Sequence, residues 1–159
     1  MMIHYRAAML LCALAALTAC AAKQATHVSL RSLHQGSYCG DETAGMRWLT
    51  PDVLHNLRGQ GVGVHLGTEP PSATDIADDE KLLLLSLGAK GSGGHSLALA
   101  SSQAEVRDQT IHLPLTIQEP APGSMQTMQL TYPCLVVGLR GKRYQKVDAG
   151  ILGSLELDE

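Results

Sequence analysis

The chain has no second long apolar run after its N-terminus. An α-helix needs about 20 apolar residues to span a bilayer. The stretch LLLLSL at 82–87 is far shorter and reads as a buried strand, so no membrane helix is expected in the body of the chain. The chain also lacks a basic excess. From residue 20 to 159 there are 11 Lys and Arg against 15 Asp and Glu, a formal charge of −4. A nucleic-acid partner calls for a basic stripe, so none is expected. The only basic cluster, Arg140, Lys142, Arg143 and Lys146, reads as a solvated hairpin. Metal-ligand spacing is missing as well: there is no C-x-x-C, no H-x-H and no pair of histidines at i, i+4. The carboxylates Asp75, Asp78, Asp79 and Glu80 do not have the spacing of a calcium loop and read as a solvated turn or a helix cap. No metal and no cofactor are expected.

Phosphate-loop chemistry is the next absence. GAKGSGGHS at 88–96 carries four glycines, a lysine and two serines. A phosphate cradle needs a strand before it and a helix after it, because the helix N-terminus supplies the amide donors. Here HSLALA follows with a period of two, and neither G-x-x-x-x-G-K-[ST] nor G-x-G-x-x-G occurs in this window. No nucleotide is expected. The glycines read as positions of positive φ or close approach between strands. GHSLA at 94–98 imitates the start of a nucleophile elbow at Ser96, but Ala98 stands where the motif needs glycine. No catalytic set emerges. A small serine- or metal-dependent hydrolase using Ser96, His95 and an acid such as Asp108 is the enzyme alternative.

The N-terminus carries more information. Arg6 precedes an apolar run from Ala7 to Leu17, which suits the h-region of a secretory signal. Leu17-Thr18-Ala19-Cys20 resembles the bacterial lipobox, in which the cysteine is lipidated and becomes the mature N-terminus. The alternative is an ordinary cleaved signal with an incidental cysteine. The resemblance gives a signal at 1–19, a lipidated tether at 20–27 and one β-rich domain at 28–159. Acyl chains on Cys20 would hold the protein on a membrane. Ala21, rather than aspartate, follows the cysteine, and by resemblance to such lipoproteins this implies an outer-membrane location facing the periplasm. Cys12 leaves with the signal and Cys20 takes lipid, so Cys39 and Cys134 remain. Two leftover thiols in an oxidising compartment often pair. The alternative is two unpaired buried thiols.

Along the chain, HVSLRSL reads as a first strand. In LTPDVLHNLRG, Thr50 suits an N-cap, Pro51 the first helical position and Asp52 the first turn, with Gly59 as terminator. GVGVHLG at 61–67 reads as a strand. LLLLSL is apolar on both faces, as a central strand is. HSLALA, TIHLPLTIQ, MQTMQLTY, CLVVGL, RYQKVD and ILGSLEL complete the list, with Gly141-Lys142 as a hairpin tip. Pro114 cannot donate to a ladder and assigns its strand to an edge or a bulge. The expected fold is mainly β, an antiparallel sandwich or a partly closed barrel with one short helix.

Residues from about 79 to 140 resemble the C-terminal domain of the protease complex subunit PrcB family. The resemblance rests on an apolar strand ending in glycine, then Gly93-Gly94, a turn at Pro122-Gly123 and Thr131-Tyr132-Pro133 before a last apolar strand. The sequence departs from the pattern at His95, where an aromatic residue usually follows Gly-Gly, and at Cys134, where an aromatic is common. The resemblance implies a non-catalytic lipoprotein that binds a protease or another envelope protein. The expected surface is Lys90, Gly93, Gly94 and His95 with Pro122 and Gly123. A structural envelope lipoprotein without a dedicated partner is the other reading.

Overall fold

The computed structural model describes residues 26–60, 76–141 and 144–157. The signal segment, Cys20, most of the tether, the strand read at 61–67 and Lys142 of the hairpin tip lie outside the described residues. Among the described residues ten strands run in chain order as β1 (Thr26–Gly36), β2 (Ala44–Leu49), β3 (Glu80–Leu87), β4 (Ser96–Leu99), β5 (Gln103–Arg107), β6 (Thr110–His112), β7 (Leu115–Gln118), β8 (Cys134–Arg140), β9 (Lys146–Asp148) and β10 (Ser154–Glu156). One α-helix, α1 (Pro51–Gln60), follows β2, and a 3₁₀ turn (Gly150–Leu152) precedes β10. The helix starts where Pro51 predicts: the Thr50 carbonyl accepts from the amides of Val53 (3.1 Å) and Leu54 (3.2 Å). It runs through Gly59 instead of ending there.

Eight strands form one sheet in the order β10-β9-β6-β5-β1-β8-β3-β2, and β4 pairs with β7 apart from it. The two ends of the long sheet approach each other. The Trp48 indole N–H on β2 donates to the Glu156 carbonyl on β10 at 2.9 Å. The sheet is thus a nearly closed barrel, and the expectation of a mainly β sandwich or partial barrel holds. Pairing is antiparallel except between β6 and β9, which are parallel.

The central strands face two cores. Leu83, Leu85 and Leu87 of β3 join Leu135, Val137 and Leu139 of β8 in the main cluster, with Val28, Ile111 and Val147. Leu82 and Leu84 point the other way, into a second cluster with Leu33, Leu54, Cys134 and Val136. A run apolar on both faces is what such a position requires. Each fully buried Leu or Val stabilises the fold by roughly 1.5–3 kcal/mol. The β4–β7 pair packs Leu97, Leu99, Leu115 and Ile117 onto the main cluster.

Three further expectations change. TIHLPLTIQ is two strands: β6 stays in the long sheet and β7 leaves it for β4. The break falls at Leu113-Pro114. The Leu113 amide donates to Asp148 (2.9 Å), the Pro114 carbonyl accepts from Ala100 (2.8 Å), and proline has no amide to continue a ladder. MQTMQLTY is not a ladder strand; only Thr131 and Tyr132 at its end form isolated bridges, to Lys90 and Tyr38. Glu80 is not solvated. It is buried at the start of β3 and takes a two-pronged ion pair from Arg31, Nε to Oε1 at 3.1 Å and Nη2 to Oε2 at 2.7 Å. Its carboxylate lies over Gly138, where a Cβ would collide with it.

Candidate functional site

The glycine loop begins where β3 ends. Gly88 has φ +73°, and a Cβ there would sit 2.7 Å from the Ala44 nitrogen. The buried Ser86 hydroxyl fixes the neighbouring backbone. It accepts from the amides of Asp41 (3.0 Å) and Gly88 (3.1 Å) and donates to the Asp41 carbonyl (3.1 Å). The loop is therefore built for close backbone approach, and its following element is the strand β4. The sequence reading of a strand-to-strand connection describes this geometry.

A second segment, residues 119–132, lies alongside the loop. Lys90 and Thr131 exchange backbone hydrogen bonds at 2.8 Å each, and the Gly93 amide donates to the Thr127 carbonyl at 3.0 Å. The Thr131 hydroxyl donates to the Ser92 carbonyl at 3.3 Å. Gly94 has φ +84°, and a Cβ on it would meet Gln126 Oε1 at 2.5 Å and Pro120 Cβ at 3.2 Å. At Gly93 it would meet Thr127 Oγ1 at 2.6 Å. These two glycines are thus places where the arm lies against the loop.

The tip of the arm is a tight turn. Pro122 precedes Gly123 at φ +77°, and the Ser124 amide donates to the Ala121 carbonyl at 3.0 Å. That order of residues and that φ are those of a type II turn. No atom stands within 4 Å of the Cβ position at Gly123. The structure thus sets Lys90, Gly93, Gly94 and His95 beside an arm whose tip is Pro122-Gly123. The Nδ1 atom of His95 is buried and has no hydrogen-bond partner among the described residues.

The arm carries apolar residues that the sequence reading placed in a strand. Met125 is 100% exposed, Met128 93% and Leu130 54%. Tyr38, on the segment bridged to Tyr132 at the arm's end, is also exposed. Exposed methionines are flexible, polarizable contacts and are frequent at binding surfaces. The signal in the sequence was irregular: Met125, Met128 and Leu130 do not keep strict alternation.

The base of both segments is tied down. The structure joins Cys39 and Cys134 in a disulfide with Cα atoms 5.5 Å apart, within the usual range for such a bond. The Tyr132 amide donates to the Ser37 carbonyl at 2.7 Å, and the Gly40 amide to the Tyr132 carbonyl at 3.0 Å.

The residues of the enzyme alternative are distributed differently. Ser96 lies with its hydroxyl 3.4 Å from Gln118 Oε1 and lines a cavity with Gln35, Gly36 and Ser37. Asp108 lines a separate cavity with Tyr144 and Lys146. It sits at φ +47° in the β5–β6 turn.

A family model described as PrcB C-terminal matches residues 82–140, under half of the chain. No curated protein and no solved structure matches the chain. The matched span runs from β3 to the end of β8 and contains the glycine loop, the arm and Cys134. This span is thus similar to the PrcB C-terminal family, and it contains the glycine loop and the arm of the surface just described.

Proposed function

We propose that this protein is a non-catalytic lipoprotein of the bacterial envelope that binds a partner protein, as an accessory or stabilising subunit of a secreted or surface protease. The observation that carries this reading is the arm at 119–132. It leaves Met125, Met128 and Leu130 exposed while its backbone is pinned to the glycine loop. A pinned loop loses little conformational freedom on binding, so more of its contact energy remains as affinity. The PrcB C-terminal domain is consistent with a protease-associated role. Lipidation at Cys20 would hold the domain at the outer membrane, facing the periplasm.

The test is cross-linking in living cells, purification of the lipidated protein and mass spectrometry of what accompanies it. A protease or its precursor is the expected companion. The Met125→Gln/Met128→Gln variant should lose it while the fold is kept. The same companion at the same yield from that variant overturns the surface. Recovery of abundant envelope proteins only favours a structural lipoprotein.

A further inference from the structure

We propose that His34, Cys39 and Cys134 form a soft-metal site that becomes available when the disulfide is reduced. The ligand atoms of the three residues all lie within 4.8 Å of one another. Tetrahedral zinc, with Zn–S about 2.3 Å and Zn–N about 2.0–2.1 Å, spaces its ligands roughly 3.5–3.8 Å apart. In the oxidised chain the two sulfurs are bonded to each other, so only reduction lets them part to this spacing, with the imidazole already within reach. Two thiolates and an imidazole are the donors that suit Zn²⁺ or Cu⁺. They leave a fourth position open to water.

The fold brings these residues together from two strands and a loop. Register between β1 and β8 shifts between Ser32 and His34, so Leu33 is an extra residue in β1. Past this bulge His34 pairs with Val136 and Gly36 with Cys134. Val136 and Cys134 belong to the second cluster, which also contains Cys39. Gly36 lies between the donors, where a Cβ would be 3.3 Å from His34 Nε2 and 3.5 Å from Cys39 Sγ. Its carbonyl is 3.5 Å from Cys134 Sγ, an acceptor for the thiol once the bond is reduced. The cavity lined by Gln35, Gly36, Ser37 and Ser96 borders the same loop.

The chemistry balances with a dithiol reductant. One of its thiolates attacks a sulfur of the Cys39–Cys134 bond, and its second thiol resolves the mixed disulfide. Two electrons pass to the protein, giving two thiols, and the reductant leaves as a disulfide. A divalent metal then displaces one proton from each thiol, so two protons are released on binding. Oxidised, the two sulfurs are bonded to each other and are not thiolate ligands. Disulfide and metal are alternative ties at one point of the fold.

The test uses the full chain with Co²⁺ alone as the probe. After anaerobic reduction with a phosphine, it should bind one Co²⁺ with thiolate-to-cobalt charge transfer and the visible bands of tetrahedral cobalt. The oxidised chain should show neither. Zn²⁺ should bleach the bands. His34→Ala should keep the reduced wild type's far-UV circular dichroism and lower Co²⁺ affinity at least about tenfold. Cys39→Ser/Cys134→Ser should show no charge transfer. Absence of the bands in the reduced, folded chain overturns the site, as does unchanged affinity in His34→Ala. Unfolding on reduction also overturns it, because His34 then no longer meets the cysteines.

Discussion

Trp48 and Glu156 stand 108 positions apart, yet the indole N–H of one donates to the backbone carbonyl of the other at 2.9 Å. The bond runs between the two end strands of the eight-stranded sheet and brings its edges together. Unpaired edges invite pairing with other chains, and closure removes them. Trp48→Phe keeps most of the apolar contact and deletes the donor. It should cost about 1 kcal/mol. Hydrogen exchange should show faster exchange in β10 than in β8; equal protection in both would mean that the bond does not hold the edge.

The Arg31–Glu80 pair should be a point of high sensitivity. The Glu80 side chain is fully buried, whereas Arg31 is 39% exposed. Arg31→Met leaves a carboxylate buried without its guanidinium and should cost about 1–3 kcal/mol in urea denaturation. Gly138→Ala should act on the same pair from the other side, by pushing Glu80 out of the space above Gly138. The two effects should not add, since both displace one carboxylate.

Loss of the Cys39–Cys134 bond should lower stability without changing the strand order. The sequence separation is 95 residues. A loop of that size gives up to roughly 4–5 kcal/mol in the chain-entropy model. Cys39→Ser/Cys134→Ser should unfold at lower urea concentration; an unchanged midpoint would show that the bond adds no stability.

Burial raises the Tyr144 hydroxyl above its ordinary pKa near 10. The folded state therefore keeps its proton where the unfolded chain loses it. The sign follows: this stability is fully present below pH about 10 and is lost as pH rises through the folded value. Thermal stability should fall above pH 10 in the wild type. Tyr144→Phe should show a smaller alkaline loss.

Gly94→Ala combines a positive φ of +84° with a Cβ placed 2.5 Å from Gln126 Oε1. It should cost about 1–2 kcal/mol. Met125→Gln/Met128→Gln alters fully solvated side chains and should stay within about 0.5 kcal/mol of wild type. Thermal melts of the two variants separate a backbone requirement in the loop from a surface role in the arm.

Much of the fold was legible because its signals are local. Period two marks β1 and β4, continuous apolar runs mark β3 and β8, and Thr50-Pro51 marks the start of α1. Four misreadings have identifiable physical causes. Strand β5 leaves no clear mark in the sequence because its hairpin with β6 turns through Asp108 and Gln109, both at positive φ, without a glycine to announce it. Strand β2 is hidden in the sequence because AGMRWL has little alternation, and its pairing with β3 supplies the order. Glu80 looked solvated because its partner Arg31 is 49 residues away. The arm looked like a strand because its composition is strand-like, while its bonds go to a loop.

The sequence alone determined the class of the chain, the two-faced strands at its centre and the turn chemistry of Pro122-Gly123. These depend on side-chain period and on residues that accept particular backbone angles. Only the tertiary structure decided that the sheet nearly closes through Trp48, that Glu80 is buried on Gly138, and that His34 meets Cys39 and Cys134. Each of these is a meeting of groups from different strands. A bulge, a missing Cβ or a shared partner sets it, and none of these leaves a periodic trace in the chain.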